Sequence, residues 1–218
     1  MGKILIEMKG VYKAYKKVSV IKDVSVNFVI GKSYGIMGYN GSGKSVILKL
    51  IAGYAFADSG EILINGKILK KDMDFIQNAG IVINAPEFIN SMSGLKNLMY
   101  LAEIKQIIDL SDIENILKKI GLYDARFKKV STYSQGMKQR LRLAQALMEY
   151  PEILLLDEPM NALDKEGITL VKGILKEHVQ QGKTLIFTSH QREDFLDLAD
   201  EVYEIENGNL MLVNITTV

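Results

Sequence analysis

The chain opens on a two-residue alternation of apolar and polar positions. Ile4, Ile6 and Met8 alternate with Leu5, Glu7 and Lys9, and Val24, Val26, Phe28 and Ile30 repeat the period. Such alternation sends one face of a strand inward, so the first thirty residues are predicted to form antiparallel strands. Ser33–Met37 reads as a further strand that runs into a glycine-rich loop and then a helix over Lys44–Ala52, stopped by Gly53. Glu61–Ile64 and Lys67–Leu69 flank Asn65-Gly66, a hairpin signal, and Gly80–Ile83 is another short strand.

From Pro86 to Tyr150 the period becomes helical. Leu95, Leu98, Met99 and Ala102 share one predicted face. Ser111 and Glu114 have capping-box spacing ahead of Ile113, Ile116, Leu117 and Ile120, with Gly121 at the stop. Beyond Pro151 come a buried strand at Ile153–Leu156, a helix over Lys165–Gln181 and a strand at Thr184–Thr188. A helix near Arg192–Ala199 and a hairpin at Asn207-Gly208 follow. Strands alternating with helices predict an α/β fold, a parallel sheet with helices around it. The antiparallel N-terminal strands and the helical insertion divide this single domain at residues 1–85, 86–148 and 149–218.

Composition narrows the function. At 218 residues folding buries roughly 70% of the chain's surface. Basic and acidic side chains number 27 and 26, a net charge of +1 that argues against bulk affinity for nucleic acid or anionic lipid. The absence of cysteine excludes disulfides, thiolate metal sites and cysteine nucleophiles. The N-terminal MGKILIEMKG contains no signal-peptide core. No apolar run approaches the ~20 residues of a membrane span. A soluble cytoplasmic chain is expected, meeting a membrane only through a partner.

The chemistry begins at Gly38-Tyr39-Asn40-Gly41-Ser42-Gly43-Lys44-Ser45, which fits G-x-x-x-x-G-K-[ST]. Glycines let such a loop wrap phosphates with its N–H groups pointing inward, and the following helix adds its positive end. Lys44 is placed to reach the β- and γ-phosphates, and the Ser45 hydroxyl to ligate Mg²⁺. Ile153–Leu156 ends in Asp157-Glu158. Beside a phosphate loop, Asp157 becomes a candidate to hold Mg²⁺ through water and Glu158 a general base for the attacking water. Pro159 cannot continue a strand ladder and ends this one where the carboxylates need exposure.

Tyr133-Ser134-Gln135-Gly136-Met137-Lys138-Gln139-Arg140 ends 17 residues before Asp157 and resembles the signature of ABC transporter ATPases. From Tyr15 to His190 the chain is similar to the nucleotide-binding subunits of that family, in wording nearest the bacitracin- and lantibiotic-type exporters. The resemblance implies a P-loop NTPase core, ATP and Mg²⁺ as ligands, and hydrolysis to ADP and phosphate. It also implies a multi-span permease and a second ATPase subunit, identical or related. Each ATP would lie between one subunit's phosphate loop and the other's Ser134 and Gly136, at the positive end of a helix.

Other family positions transfer singly. Tyr15, 29 residues before Lys44, matches the aromatic that stacks on adenine, with Tyr12 as a rival. His190 matches the histidine that touches the γ-phosphate, whereas His178 matches no motif. Asn161-Ala162-Leu163-Asp164 resembles the loop that contacts the partner's site, and Asp164 is equally placed to cap the following helix. Lys138, Arg140 and Arg142 read as a solvated helix face.

The chain also departs from the family pattern. Val46 stands where a threonine usually sits near the α-phosphate, a loss of about 0.5–1.5 kcal/mol. Asn84 occupies the glutamine position of the linking loop, one methylene shorter for contact with Mg²⁺. Gln135 and Met137 alter the signature but leave Ser134 and Gly136. The competing function is an ABC-type ATPase acting on nucleic acid or ribosomes. A single cassette, with only 114 residues from Lys44 to Glu158, disfavours it. Transport requires a docking surface, for which Phe88 and Met92 are the exposed candidates, with Leu95 and Met99 assigned to the helical core.

Overall fold

The computed structural model describes residues 2–84 and 87–214. Pro86, where the helical segment was expected to begin, lies outside them. Ile4–Tyr15 (β1) and Val18–Val29 (β2) form the expected antiparallel pair. Ser33–Met37 (β3) leads into the helix Lys44–Ala52 (α1), which stops at Gly53 in the left-handed conformation. Ser59–Ile64 (β4) and Lys67–Ile68 (β5) turn at Asn65-Gly66, both with positive φ as the tight hairpin turn requires. Ala79–Val82 (β6) follows. The helical segment holds Gly94–Lys105 (α2), Leu110–Lys119 (α3) and Gln135–Leu147 (α4). Ile153–Leu156 (β7), Lys165–Gln180 (α5), Thr184–Ser189 (β8), Glu201–Glu206 (β9) and Asn209–Val213 (β10) complete the chain.

These strands form two sheets. A four-stranded antiparallel sheet runs β2-β1-β4-β5. A six-stranded sheet runs β10-β9-β3-β8-β7-β6, parallel throughout except for the β9–β10 hairpin. All of β7 and β8 is buried, as for strands covered on both faces. One apolar core lies between the sheets around α1, where Phe28, Tyr34 and Ile51 are fully enclosed. A second fills the other face of the parallel sheet under α4, α5 and Phe195. The third belongs to α2, α3 and α4, around Leu98, Leu117 and Leu141. Helix α4 joins the last two, and it comes so close to β6 that a Cβ on Gly80 would lie 2.0 Å from the Ala146 carbonyl oxygen.

Several local expectations are corrected. The N-cap of α3 is Asp109, not Ser111. Asp109 accepts the N–H groups of Ser111 and Asp112, and Asp112 reciprocates at the Asp109 N–H, so the charged pair two residues earlier forms the box. Arg192–Ala199 is not a helix. A single 3-10 turn covers Arg192–Asp194, where buried Asp194 accepts the Ser189 hydroxyl at 2.5 Å, and Asp197 then takes a left-handed φ of 62°. Met99 is exposed, at the margin of the stripe that buries Leu95, Leu98 and Ala102.

His178 lies on the buried face of α5, and its Nε2 has no partner among the described residues. Burial pushes its imidazole down to about 4, aided by Lys183 and Lys119 and opposed by a hydrogen bond to the Thr184 backbone. The folded chain therefore keeps His178 neutral while the unfolded chain takes up a proton below its ordinary value of 6.5. Stability present above that value is lost as pH falls towards the folded one, about 2–3 kcal/mol by roughly pH 4.5. Urea unfolding at pH 7 and pH 4.5 is expected to show a smaller pH loss in His178→Gln than in the wild type.

Candidate functional site

Sheet register collects the candidate residues. Met37 pairs with Ser189, and Leu156 with Phe187, so adjacent strands β3, β8 and β7 end together at one edge. The loops leaving that edge carry Gly38–Ser45, His190, and Asp157 with Glu158. Crevices at the carboxyl ends of parallel strands are where α/β sheets bind ligands.

The glycine-rich loop has the conformation its composition allows. Gly43 takes a φ of 113°, and a Cβ there would meet Ile205 Cδ1 at 2.9 Å. Gly38 is buried, Tyr39 and Asn40 are exposed, and Gly41 takes a φ of 81° in open space. The Ser42 hydroxyl is buried and has no partner among the described residues. Lys44 is 5% exposed, and its Nζ donates to the carbonyls of Gly38 at 2.7 Å and Tyr39 at 3.2 Å. Ser45 is half-buried at the first turn of α1. Val46 packs against the core between the sheets, which gives a physical reason for an apolar residue there.

The carboxylates face this loop. Glu158 Oε1 lies 3.4 Å from Lys44 Nζ, and Oε2 lies 2.8 Å from His190 Nδ1. Glu158 adopts φ 50°, a left-handed conformation that costs a non-glycine residue about 1–2 kcal/mol. Its N–H donates to Thr188 Oγ1 at 3.0 Å, and that hydroxyl donates to Asp157 Oδ1 at 2.7 Å. Its carbonyl accepts the Asn161 N–H at 3.1 Å and Gln139 Nε2 at 3.2 Å. At the end of β8 the Ser189 hydroxyl accepts the Gln191 N–H while donating to Asp194, fixing the backbone on both sides of His190.

The remaining candidates stand apart. Ser134 caps α4 by accepting the Met137 N–H at 3.1 Å, and a Cβ on Gly136 would lie 3.0 Å from the Ala162 carbonyl oxygen. Among the described residues no hydrogen bond joins Ser134 or Gly136 to the phosphate loop or to Glu158. Tyr15 is 45% exposed beside Lys13, whose Nζ is 5.1 Å from the ring centre. Asp58 braces that segment, accepting from Lys13 Nζ at 2.6 Å and the Ala14 N–H at 2.7 Å. Tyr12, the rival, is part-buried with its hydroxyl on Ser19. Asn84 is exposed with φ 57°, and among the described residues no hydrogen bond joins it to Ser45 or Asp157. Asp164 caps α5 by accepting the Gly167 N–H at 2.8 Å.

Two residues escaped the sequence reading. Thr188 lies on a fully buried strand, where nothing marks its hydroxyl as the link between Asp157 and Glu158. Gln139 shares the buried face of α4 with Leu143 and Ala146, and a polar residue at a core position was the available signal. Arg140 and Arg142 are also not a solvated face. Arg140 donates to the carbonyls of Ile120 and Gly121 at the end of α3, and Arg142 to Gln139 Oε1.

The donors fit a polyphosphate with a divalent cation: a buried cation, an unpartnered hydroxyl, helix-terminal N–H groups, and the hard oxygens of Ser45 and Asp157. Comparison with known proteins agrees. The profile of the ABC transporter family matches residues 21–161. The ABC transporter ATP-binding protein YybJ of Bacillus subtilis is 39% identical over 94% of both chains. The bacitracin transport ATP-binding protein BcrA of Enterococcus faecalis is 33% identical over 95% of this chain and 68% of its own. The lantibiotic transport ATP-binding protein SrtF of Streptococcus pyogenes is 31% identical over 95% of this chain and 90% of its own. A nucleotide-free ATP-binding cassette from an ABC transporter superposes with a TM-score of 0.81, over 95% of this chain and 89% of that one. At 21% identity this last likeness shows the fold alone.

Replacing Thr188 with valine keeps the shape but leaves the Glu158 N–H and Asp157 Oδ1 short of a partner. Thr188→Val is expected to lose about 1–3 kcal/mol in denaturant unfolding, and Thr188→Ser clearly less.

Proposed function

The chain belongs to the ABC transporter family, ATP-binding subunits that hydrolyse ATP, and on that premise we propose how its residues divide the work. The observation that carries the proposal is the Glu158 carboxylate, poised between Lys44 and His190 at the mouth of the phosphate loop. In this reading Lys44, the Ser42 hydroxyl and the loop N–H groups of Gly38–Val46 hold the phosphates, and Tyr15 stacks on the adenine. Ser45 and Asp157 hold Mg²⁺, with Asn84 at the rim, and the ion neutralises charge on the phosphate oxygens. Glu158 takes the proton of the water that attacks the γ-phosphorus, and ADP leaves. His190 orients Glu158 and contacts the γ-phosphate.

Residues 1–218 act as one ATPase unit, split at 85/86 and 148/149 into core, helical insertion and core. Because Ser134 and Gly136 lie apart from the phosphate loop, they serve the site of a second ATPase subunit, and Asp164 meets that subunit while capping α5. The assembly works on the inner face of a membrane through a multi-span permease. Export is the direction that accords with the bacitracin and lantibiotic transport named for two relatives, and those names also favour transport over work on nucleic acid or ribosomes. No helix among the described residues is long and apolar enough to cross a membrane.

The permease is expected to dock on the helical insertion. A groove of about 540 Å³ lies there, lined by Met92, Met99, Tyr100 and Phe127. Met92 is half-buried rather than exposed, and Phe88 is half-buried against the helical core, so Tyr100 and Phe127 present more apolar surface than either.

Glu158→Gln is expected to bind ATP, hydrolyse it about 10²–10⁴-fold more slowly and accumulate as a dimer on gel filtration with ATP. Normal turnover would remove Glu158 from the role of base. Tyr100→Asp is expected to keep basal hydrolysis but no longer copurify with membranes. Retained copurification would move the docking site elsewhere.

A further inference from the structure

Gln139 is buried among apolar residues yet carries an amide, and an amide in a core is costly unless its groups are bonded. Here each group has a partner. Nε2 lies 3.2 Å from the Glu158 carbonyl oxygen and 3.1 Å from that of Pro159, so it gives both its protons to the turn that carries the candidate base. Oε1 accepts from Arg142 at 3.1 Å. This network fixes the amide's orientation, because the flipped form would set its oxygen against two carbonyl oxygens.

The turn it holds is the strained one. Glu158, at φ 50°, is gripped on its N–H by Thr188 of β8 and on its carbonyl by Gln139 of α4. A backbone held in an unfavourable conformation persists only where its surroundings over-determine it. Without Gln139 that carbonyl keeps only the Asn161 N–H, and the hold on the turn that aims the carboxylate at Lys44 and His190 loosens. Gly136, one turn earlier on the same helix, abuts the Ala162 carbonyl in the loop that continues from this turn, so α4 and the turn meet at two points.

We infer that Gln139 is a positioning residue that sets the Glu158 carboxylate from the helix whose first turn, Ser134–Gly136, serves the partner's ATP. A subunit's own base is thereby aligned by the element through which it touches the other site. The inference rests on Glu158 being the base, and the variants are chosen to separate the two.

Gln139→Leu removes both donors at similar volume, and Gln139→Asn keeps the amide one methylene short. The measurements are kcat, the Kd for ATP and Tm, for each variant alone and combined with Glu158→Gln. Gln139→Leu is expected to lower kcat about 10–100-fold with Kd little changed and a modest fall in Tm from the carbonyls it leaves short of a donor, and Gln139→Asn to lie between it and the wild type. In the Glu158→Gln background neither is expected to lower the residual rate further, since a residue acting through another adds nothing once that other is gone. Losses that multiply in the double variants would overturn the inference, as would a Kd for ATP that rises in step with the fall in kcat. If Gln139→Leu does not fold, the same comparison is made with Gln139→Asn. Normal turnover by Glu158→Gln alone would instead overturn the assigned base, and the inference with it.

Discussion

An ammonium group taken out of water must find oxygens, and that constraint organises this protein. Lys44 sits on the first turn of α1, where the positive end of the helix repels it, and it is almost wholly buried. It is accommodated by two carbonyls of its own loop and by the carboxylate of Glu158, brought from a strand more than a hundred residues away. A buried charge with one partner missing is among the costliest defects a fold can carry. The loop after β3 and the turn after β7 are therefore bound to each other, and the intervening β8 delivers Thr188 and His190 between them.

That arrangement depends on exact strand alignment, which comes from apolar packing rather than from the polar groups. The continuous apolar runs of β7 and β8 lock the centre of the sheet, and a slip of one residue would turn their side chains to the opposite face. The close approach of α4 to β6 at Gly80 sets the height of the helix above the sheet. Gln139 and Gly136 reach the turn after β7 only at that height. Packing thus positions two polar constellations at once, one at the strand ends and one at the start of α4.

What was legible in the sequence shared a property: its signal lay within one local window. Strand β3, helix α1 and strand β7 were readable because their period, glycines and terminal carboxylates are contiguous. The Asn65-Gly66 and Asn207-Gly208 turns were readable for the same reason. Cap competition was harder. Asp109 and Ser111 both suit an N-cap, and the carboxylate that could bond reciprocally with Asp112 prevailed. Arg192–Ala199 has helical spacing, but buried Asp194 bonds Ser189 and the chain turns away. Thr188 and Gln139 were invisible as linkers because their partners lie far along the chain and only the tertiary fold joins them. The apolar Val46 likewise made sense only once the core beside it was in view.

The backbone on either side of His190 is fixed by one hydroxyl, with Ser189 donating to Asp194 while accepting from the N–H of Gln191. The histidine ring itself is 41% exposed. A residue pinned at its flanks and open at its tip moves by rotating its side chain, with no refolding of the loop around it. Such rotations take picoseconds to nanoseconds, against microseconds or longer for collective motions. Any slower rearrangement of the chain around it therefore finds the histidine side chain already sampling its positions many times over.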